Sequence, residues 1–257
     1  MPTFSRGGVR LAYHEVGSGF PVVLHTGGAG SSSMWRDGGY VERLAEFRLI
    51  LLDHRGRGAS DRPTEVAAHR IAEYVADVSA LADLLELSRY AFVGYSFGAG
   101  VGIRLAAGDA RVAGLVSLGA VFDPPNAAPE ASGYESPVRE AGSMAALIEM
   151  IEQDEAILLP DWARAQFTDT DATQFLLTLD ANADAGDPWD VLPAIRAPSV
   201  LIAGSDEDPE DGQGMMAAAM PDADSVHLPG VGHVGAFLRP DEVTAAALAA
   251  LRRAASS

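Results

Sequence analysis

Val93-Gly94-Tyr95-Ser96-Phe97-Gly98-Ala99-Gly100 is the stretch on which the reading of this chain turns. The apolar run Tyr90-Ala91-Phe92-Val93 before it reads as a buried strand, and the small residues from Ala99 to Ala107 after it read as a helix. Between the two lies Gly-x-Ser-x-Gly, centred on Ser96. A sharp strand-to-helix turn strains the serine, and residues without a Cβ let the neighbouring backbone pass close by. Such a turn lifts the hydroxyl above the sheet edge. It also aims the N–H of Phe97 and the positive end of the next helix at any anion forming beside the serine.

Working outward, Val9–Val16 alternates apolar and polar residues, Gly17-Ser18-Gly19 is a turn, and Pro21–His25 is a second strand. The pair is expected to form an N-terminal hairpin. Thr26-Gly27-Gly28-Ala29-Gly30 is a glycine-rich loop, and a helix starts within Ser31-Ser32-Ser33. Phe47–Leu52 is an apolar strand ending in Asp53-His54-Arg55-Gly56-Arg57-Gly58-Ala59-Ser60-Asp61. Ile71, Tyr74, Val75, Val78, Leu81, Leu84 and Leu85 recur at helical spacing, and Gly114–Ala120 is another buried strand. This alternation predicts a mostly parallel sheet with helices on both faces. It stops at Asp123. From there to Asp190 prolines 124, 125 and 129 mark a linker, and helical stripes follow, led by Met144, Trp162 and Phe175. Strands return at Pro198–Gly204 and Ser225–Leu228, with a short helix near Met215–Met220 between them and a last helix over 241–252. The expected organisation is an α/β core of residues 1–122 and 191–257, interrupted by a helical lid over 123–190.

Composition excludes much. The 257 residues include no Cys and no Lys, all 18 basic residues being Arg. A cysteine nucleophile, thiolate metal sites, disulfides, a Lys Schiff base and a lysine P-loop are therefore out of reach. The formal net charge of −18 repels phosphate backbones and anionic membranes. No apolar run nears the ~20 residues of a membrane span. The N-terminal residues lack the apolar core of a signal peptide, so a cytoplasmic location is expected.

A serine needs a base, and the base needs an acid to orient it. Of the six histidines, His233 sits in Pro229-Gly230-Val231-Gly232-His233, just past the last strand, where a parallel sheet places its ligand site. The acid belongs on Ser205-Asp206-Glu207-Asp208-Pro209-Glu210-Asp211. Asp208 is the choice, because Pro209 stiffens the turn behind it. Asp206 and Glu207 remain alternatives, with Asp123 a minor one. The oxyanion hole is assigned to the N–H groups of Phe97 and Gly28, with Thr26 and Gly27 as alternatives to Gly28.

The chain resembles the α/β-hydrolase superfamily, in particular its small single-domain members with a helical lid. The resemblance runs over essentially the whole chain. It rests on the Gly17–His25 run, Gly27-Gly28-Ala29-Gly30, Asp53–Ser60, Gly94-Tyr95-Ser96-Phe97-Gly98, Gly204 with Asp208-Pro209, and Gly230-Val231-Gly232-His233. The chain departs from the family pattern at two points. Thr26 intervenes between His25 and Gly27. The family's acid usually stands three residues after the glycine matching Gly204, which here is Glu207. The resemblance makes the Asp53–Ser60 segment a structural turn, with Arg55 structural.

Ser at the elbow, rather than Asp, suits attack on an acyl carbonyl. The expected activity is hydrolysis of a carboxylic ester or lactone through an acyl-enzyme on Ser96, without metal or organic cofactor. Trp162, Phe167, Phe175, Leu176 and Trp189 are candidates for the substrate pocket. The lid segment carries 15 acidic residues against Arg139 and Arg164, a net −13. That balance points to a small neutral or weakly charged substrate. With the overall negative charge no nucleic-acid or membrane partner is expected, and the expected state is a monomer or homodimer. Other activities within the superfamily are an enol-lactonase, a carbon–carbon hydrolase of ring-cleavage products and a cofactor-free perhydrolase. A ligand receptor keeping the fold is the alternative of another class.

Overall fold

Gly7 and Gly8 both have positive φ, 57° and 81°, the conformation that a two-residue hairpin turn requires at both positions. They join β1 (Thr3–Arg6) to β2 (Val9–Val16), with Arg6 opposite Val9. The N-terminal hairpin is thus β1–β2. The expected pairing of Val9–Val16 with β3 (Pro21–His25) does not form. In the computed structural model, which describes residues 1–122, 135–182, 185–208 and 210–256, β3 lies between β4 (Arg48–Asp53) and β5 (Tyr90–Tyr95), parallel to both. Burial explains the difference. Residues 22–25 are all buried, so β3 needs cover on both faces and partners on both edges, whereas β2 can lie nearer the rim.

With β6 (Val112–Leu118), β7 (Ser199–Gly204) and β8 (Ala223–Leu228), the sheet has eight strands in the order β1-β2-β4-β3-β5-β6-β7-β8. β2 runs antiparallel to β1 and β4, and the other neighbours are parallel. Alternation along the strands feeds two cores. Phe92 of β5 points to one, beneath α3 (Ile71–Leu84), α4 (Phe97–Gly108) and α9 (Gly212–Ala218). Ala91 and Val93 point to the other, beneath α1 (Met34–Asp37), α2 (Tyr40–Arg43), α10 (His233–Phe237) and α11 (Pro240–Ser256). This is the α/β-hydrolase arrangement.

Between β6 and β7 the described residues hold α5 (Glu135–Ala141), α6 (Ala145–Asp154), α7 (Asp161–Thr168) and α8 (Ala172–Asp180), with no strand. Leu147, Ile148, Ile151, Phe167 and Phe175 form a third apolar cluster that also takes in Ala29 and Val234 from the core. Those two contacts seat the helical segment over the carboxyl end of the sheet. Asp123, prolines 124, 125 and 129, and Pro209 lie outside the described residues. Among the described residues no helix is long and apolar enough to cross a membrane.

Candidate active site

Ser96 takes φ 55° and ψ −121°, a conformation that non-glycine residues rarely hold and that costs on the order of 1–3 kcal/mol. The surroundings impose it. Ser96 N–H donates to Leu118 O at 2.7 Å, while Ala99 and Gly100 N–H donate to Ser96 O. The flanking glycines are required by approach. A Cβ on Gly94 would lie 2.4 Å from Gly98 O, and one on Gly98 would lie 2.5 Å from the carbonyls of both His25 and Thr26. β5 must therefore end, turn and start α4 inside a space with no room for a side chain.

His233 Nε2 lies 2.9 Å from Ser96 Oγ, and His233 Nδ1 lies 2.5 Å from Glu207 Oε1. A carboxylate can only accept, so Nδ1 carries the proton and Nε2 is free to accept from the serine hydroxyl. The ring stacks on Tyr95 with centroids 5.1 Å apart. Burial alone would push the His233 imidazole down. The charge and hydrogen bond of Glu207, joined by the charge of Glu155, more than offset this, and the ring titrates above its usual 6.5.

The acid beside His233 is Glu207 and not Asp208, which corrects the choice made from the sequence. Asp208 accepts from Gly212 N–H at 2.6 Å, Gln213 N–H at 2.9 Å and His227 Nε2 at 2.8 Å. The unpaired amides at the start of α9 claim its carboxylate. Asp208, Asp211 and His227 bring one ligand atom each within 4.8 Å of one another. Those hydrogen bonds already occupy Asp208, so the cluster reads as a cap rather than a metal centre. Asp206 lies one turn position away, its side chain bonded to Ser205 Oγ.

The glycine loop is pinned from below. Gly27 O faces His54 Nε2 at 3.0 Å, and Arg57 donates from Nε to Gly28 O at 2.8 Å. In a trans peptide the next N–H points opposite to the carbonyl. The Gly28 N–H is therefore turned away from His54. A Cβ on Gly27 would sit 3.0 Å from Ser96 Cβ, so this loop runs alongside the serine. Arg57 is buried, which pushes its guanidinium down to about 10, still charged at neutral pH. His54 stacks on His25 at 4.7 Å, and burial holds both below the usual histidine range. Arg55 forms a bidentate pair with Asp77, 2.7 Å on each arm.

Above Ser96 and His233 lies an apolar cavity of about 90 Å³, walled by Leu147, Ile151, Phe167, Phe175, Leu179 and Val234. Phe167 and Phe175 thus reach the site. Trp162 and Trp189 do not, which corrects the expectation for both. Trp162 packs on Phe237 and Gly38, and Trp189 packs against the core beneath α4. Leu176 packs against the third apolar cluster without lining the cavity. A larger polar cavity, about 280 Å³, opens between Gly56–Gly58 and Asp169–Asp171, but neither Ser96 nor His233 lines it. Glu155 was not singled out in the sequence, and Tyr95 was read only as part of the Gly-x-Ser-x-Gly turn. Each contacts the His233 segment from a distant part of the chain, and no local pattern marks Glu155.

Comparison with known proteins agrees with this architecture. Over 118 residues the chain is 35% identical to a non-heme chloroperoxidase of Streptomyces lividans, a match covering 44% of this chain and 42% of that protein. It is also 35% identical over 118 residues to a 2-hydroxy-6-oxo-2,4-heptadienoate hydrolase of Pseudomonas putida, covering 45% of this chain and 42% of the relative. The chain therefore spans less than half the length of either relative. Among solved structures, the enol-lactonase of Burkholderia xenovorans LB400 superposes with a TM-score of 0.80 at 25% identity, covering 98% of this chain and all of that one. Residues 22–247 match the alpha/beta hydrolase family, and the chain belongs to it.

Proposed function

We propose that the protein hydrolyses a small neutral ester or lactone through an acyl-enzyme on Ser96. The observation that carries this reading is the hydrogen-bonded series Ser96–His233–Glu207 on the floor of an apolar cavity. Ser96 Oγ attacks the acyl carbonyl as its proton passes to His233 Nε2. Glu207 holds the tautomer and stabilises the imidazolium. The N–H groups of Phe97 and Gly28 receive the oxyanion. The imidazolium then protonates the leaving alkoxide, the ester C–O bond breaks, and the acyl group stays on Ser96. Water, deprotonated by His233, attacks that ester and releases the acid and the free serine.

The cavity wall argues for a neutral substrate. Among the described residues no arginine lines it, and a carboxylate of the kind named in the Pseudomonas putida relative would be buried there without a cationic partner. A second reading draws on the similarity to the chloroperoxidase. Hydrogen peroxide in place of water would take the acyl group from Ser96 as a peracid.

The test is intact-mass labelling with a fluorophosphonate on the wild type, Ser96→Ala and His233→Ala, beside turnover of p-nitrophenyl esters from acetate to decanoate. One adduct, lost in Ser96→Ala, with turnover above background is expected. Folded protein with neither adduct nor turnover would overturn the proposal in favour of a ligand receptor. Peracid formed with added peroxide would establish the second reading.

A further inference from the structure

Glu155 caps the carboxyl end of α6, in the helical segment above the sheet. Its carboxylate crosses to the core and accepts two consecutive amides, Val234 N–H at 2.8 Å and Gly235 N–H at 2.7 Å. These amides belong to α10, the helix that His233 begins. The approach is close at both glycines of this segment. A Cβ on Gly232 would lie 2.7 Å from Glu155 Cδ, and one on Gly235 would lie 3.1 Å from its Oε2. The run Gly232-His233-Val234-Gly235 is thus shaped around a carboxylate nearly 80 residues earlier in the chain.

We propose that Glu155 is a positioning residue: from the lid it fixes the backbone of His233, and so keeps the imidazole within hydrogen-bonding distance of Ser96. This rests on the hydrolase reading above. Glu155 does not touch the reacting atoms, and its action passes through two charge-assisted bonds to the histidine's own helix. Among the described residues, the groups that face His233 include Glu207 from the β7–α9 loop, Tyr95 and Ser96 from the end of β5, Gly119 just after β6, and Glu155 at the end of α6. The loop leading into the helix is held by Arg239, which donates to Pro229 O. Only Glu155 among these comes from the lid. The second negative charge also favours the imidazolium that forms as Ser96 attacks.

The experiment compares wild type, Glu155→Gln and Glu155→Ala. Glutamine keeps the shape and one acceptor but removes the charge. The expected loss in kcat/KM on p-nitrophenyl butyrate is about 10-fold for Gln and about 100-fold for Ala, the scale set by small misplacements of a catalytic group. KM should change little, and the acid limb of the pH profile should move to lower pH in Glu155→Gln. A purely structural strut would lower the melting temperature and leave the pH profile in place, which would overturn the proposal. The His233 ring is also titrated by NMR in all three proteins, a readout that needs no turnover. A lower midpoint in Glu155→Gln supports the assignment even if the wild type hydrolyses nothing, and an unchanged midpoint and ring shifts overturn it. Absence of turnover and of the fluorophosphonate adduct in wild type would instead fail the hydrolase reading alone.

Discussion

Glu207 reaches His233 Nδ1 with Oε1 at 2.5 Å, from a loop in which the adjacent acid turns the opposite way. The two neighbours therefore do different work, and substitution separates them. Glu207→Gln replaces an acceptor with an amide whose NH₂ can force the proton onto Nε2, the nitrogen that must accept. The expected loss in kcat is about 10³–10⁴-fold, by analogy with triad acids of serine proteases. Asp208→Asn should leave kcat nearly unchanged and lower stability by about 1–3 kcal/mol. Ester turnover and denaturant unfolding of the two variants check the assignment.

The direction of the His233 shift sets the pH profile. Its imidazole must be neutral to accept the serine proton. Because the ring titrates above its ordinary 6.5, the protonated and inactive form persists to higher pH than for a free histidine. kcat/KM should rise with pH along a limb whose midpoint lies above 6.5, then level off. A midpoint at or below that value would contradict the balance of charges around the ring.

Phe175 touches Gly28, with ring atoms 3.4 Å from where a Cβ there would stand, and walls the cavity. Phe175→Ala should widen the cavity and move the preferred p-nitrophenyl ester to longer acyl chains. It should also destabilise the fold by about 3 kcal/mol, as aromatic truncations in packed clusters do. A chain-length profile that keeps its optimum would place the acyl group elsewhere.

Asp77 is 1% exposed and pairs with both Arg55 and Arg6. Asp77→Asn strands the buried Arg55 charge and should destabilise the protein by about 3–5 kcal/mol. Under conditions where the variant is folded, its kcat should match wild type. A selective loss of kcat would give the Arg55 turn a part in the chemistry.

Local signals and distant ones fared differently in the sequence. Tyr90–Val93, Ser96 and the helix after it were legible because an unbroken apolar run beside Gly-x-Ser-x-Gly leaves few backbone solutions. The placement of β3 was not legible, because strand pairing depends on which strands flank Val22–His25 on its two edges, and both partners, β4 and β5, lie further along the chain. β1 escaped notice because Thr3–Arg6 is short and half exposed. The acid was ambiguous for a physical reason. Asp206, Glu207 and Asp208 are chemically alike, and the free amides at the start of α9 sort them. The family spacing pointed to Glu207. The indoles of Trp162 and Trp189 failed as pocket markers because aromatic character says nothing about which side of a short helix faces inward. Glu155 had no signal, since its partners lie 79 and 80 residues away.

The backbone of Ser96 is held at its unfavourable φ by bonds that reach it from two elements, Leu118 at the end of β6 and the first turn of α4. A local conformation maintained by its neighbours is the first to relax when they loosen. Heating should therefore silence the protein before it melts it. The midpoint of reversible inactivation would lie below the midpoint of circular-dichroism loss, and the gap between the two curves would measure how tightly the sheet grips its serine.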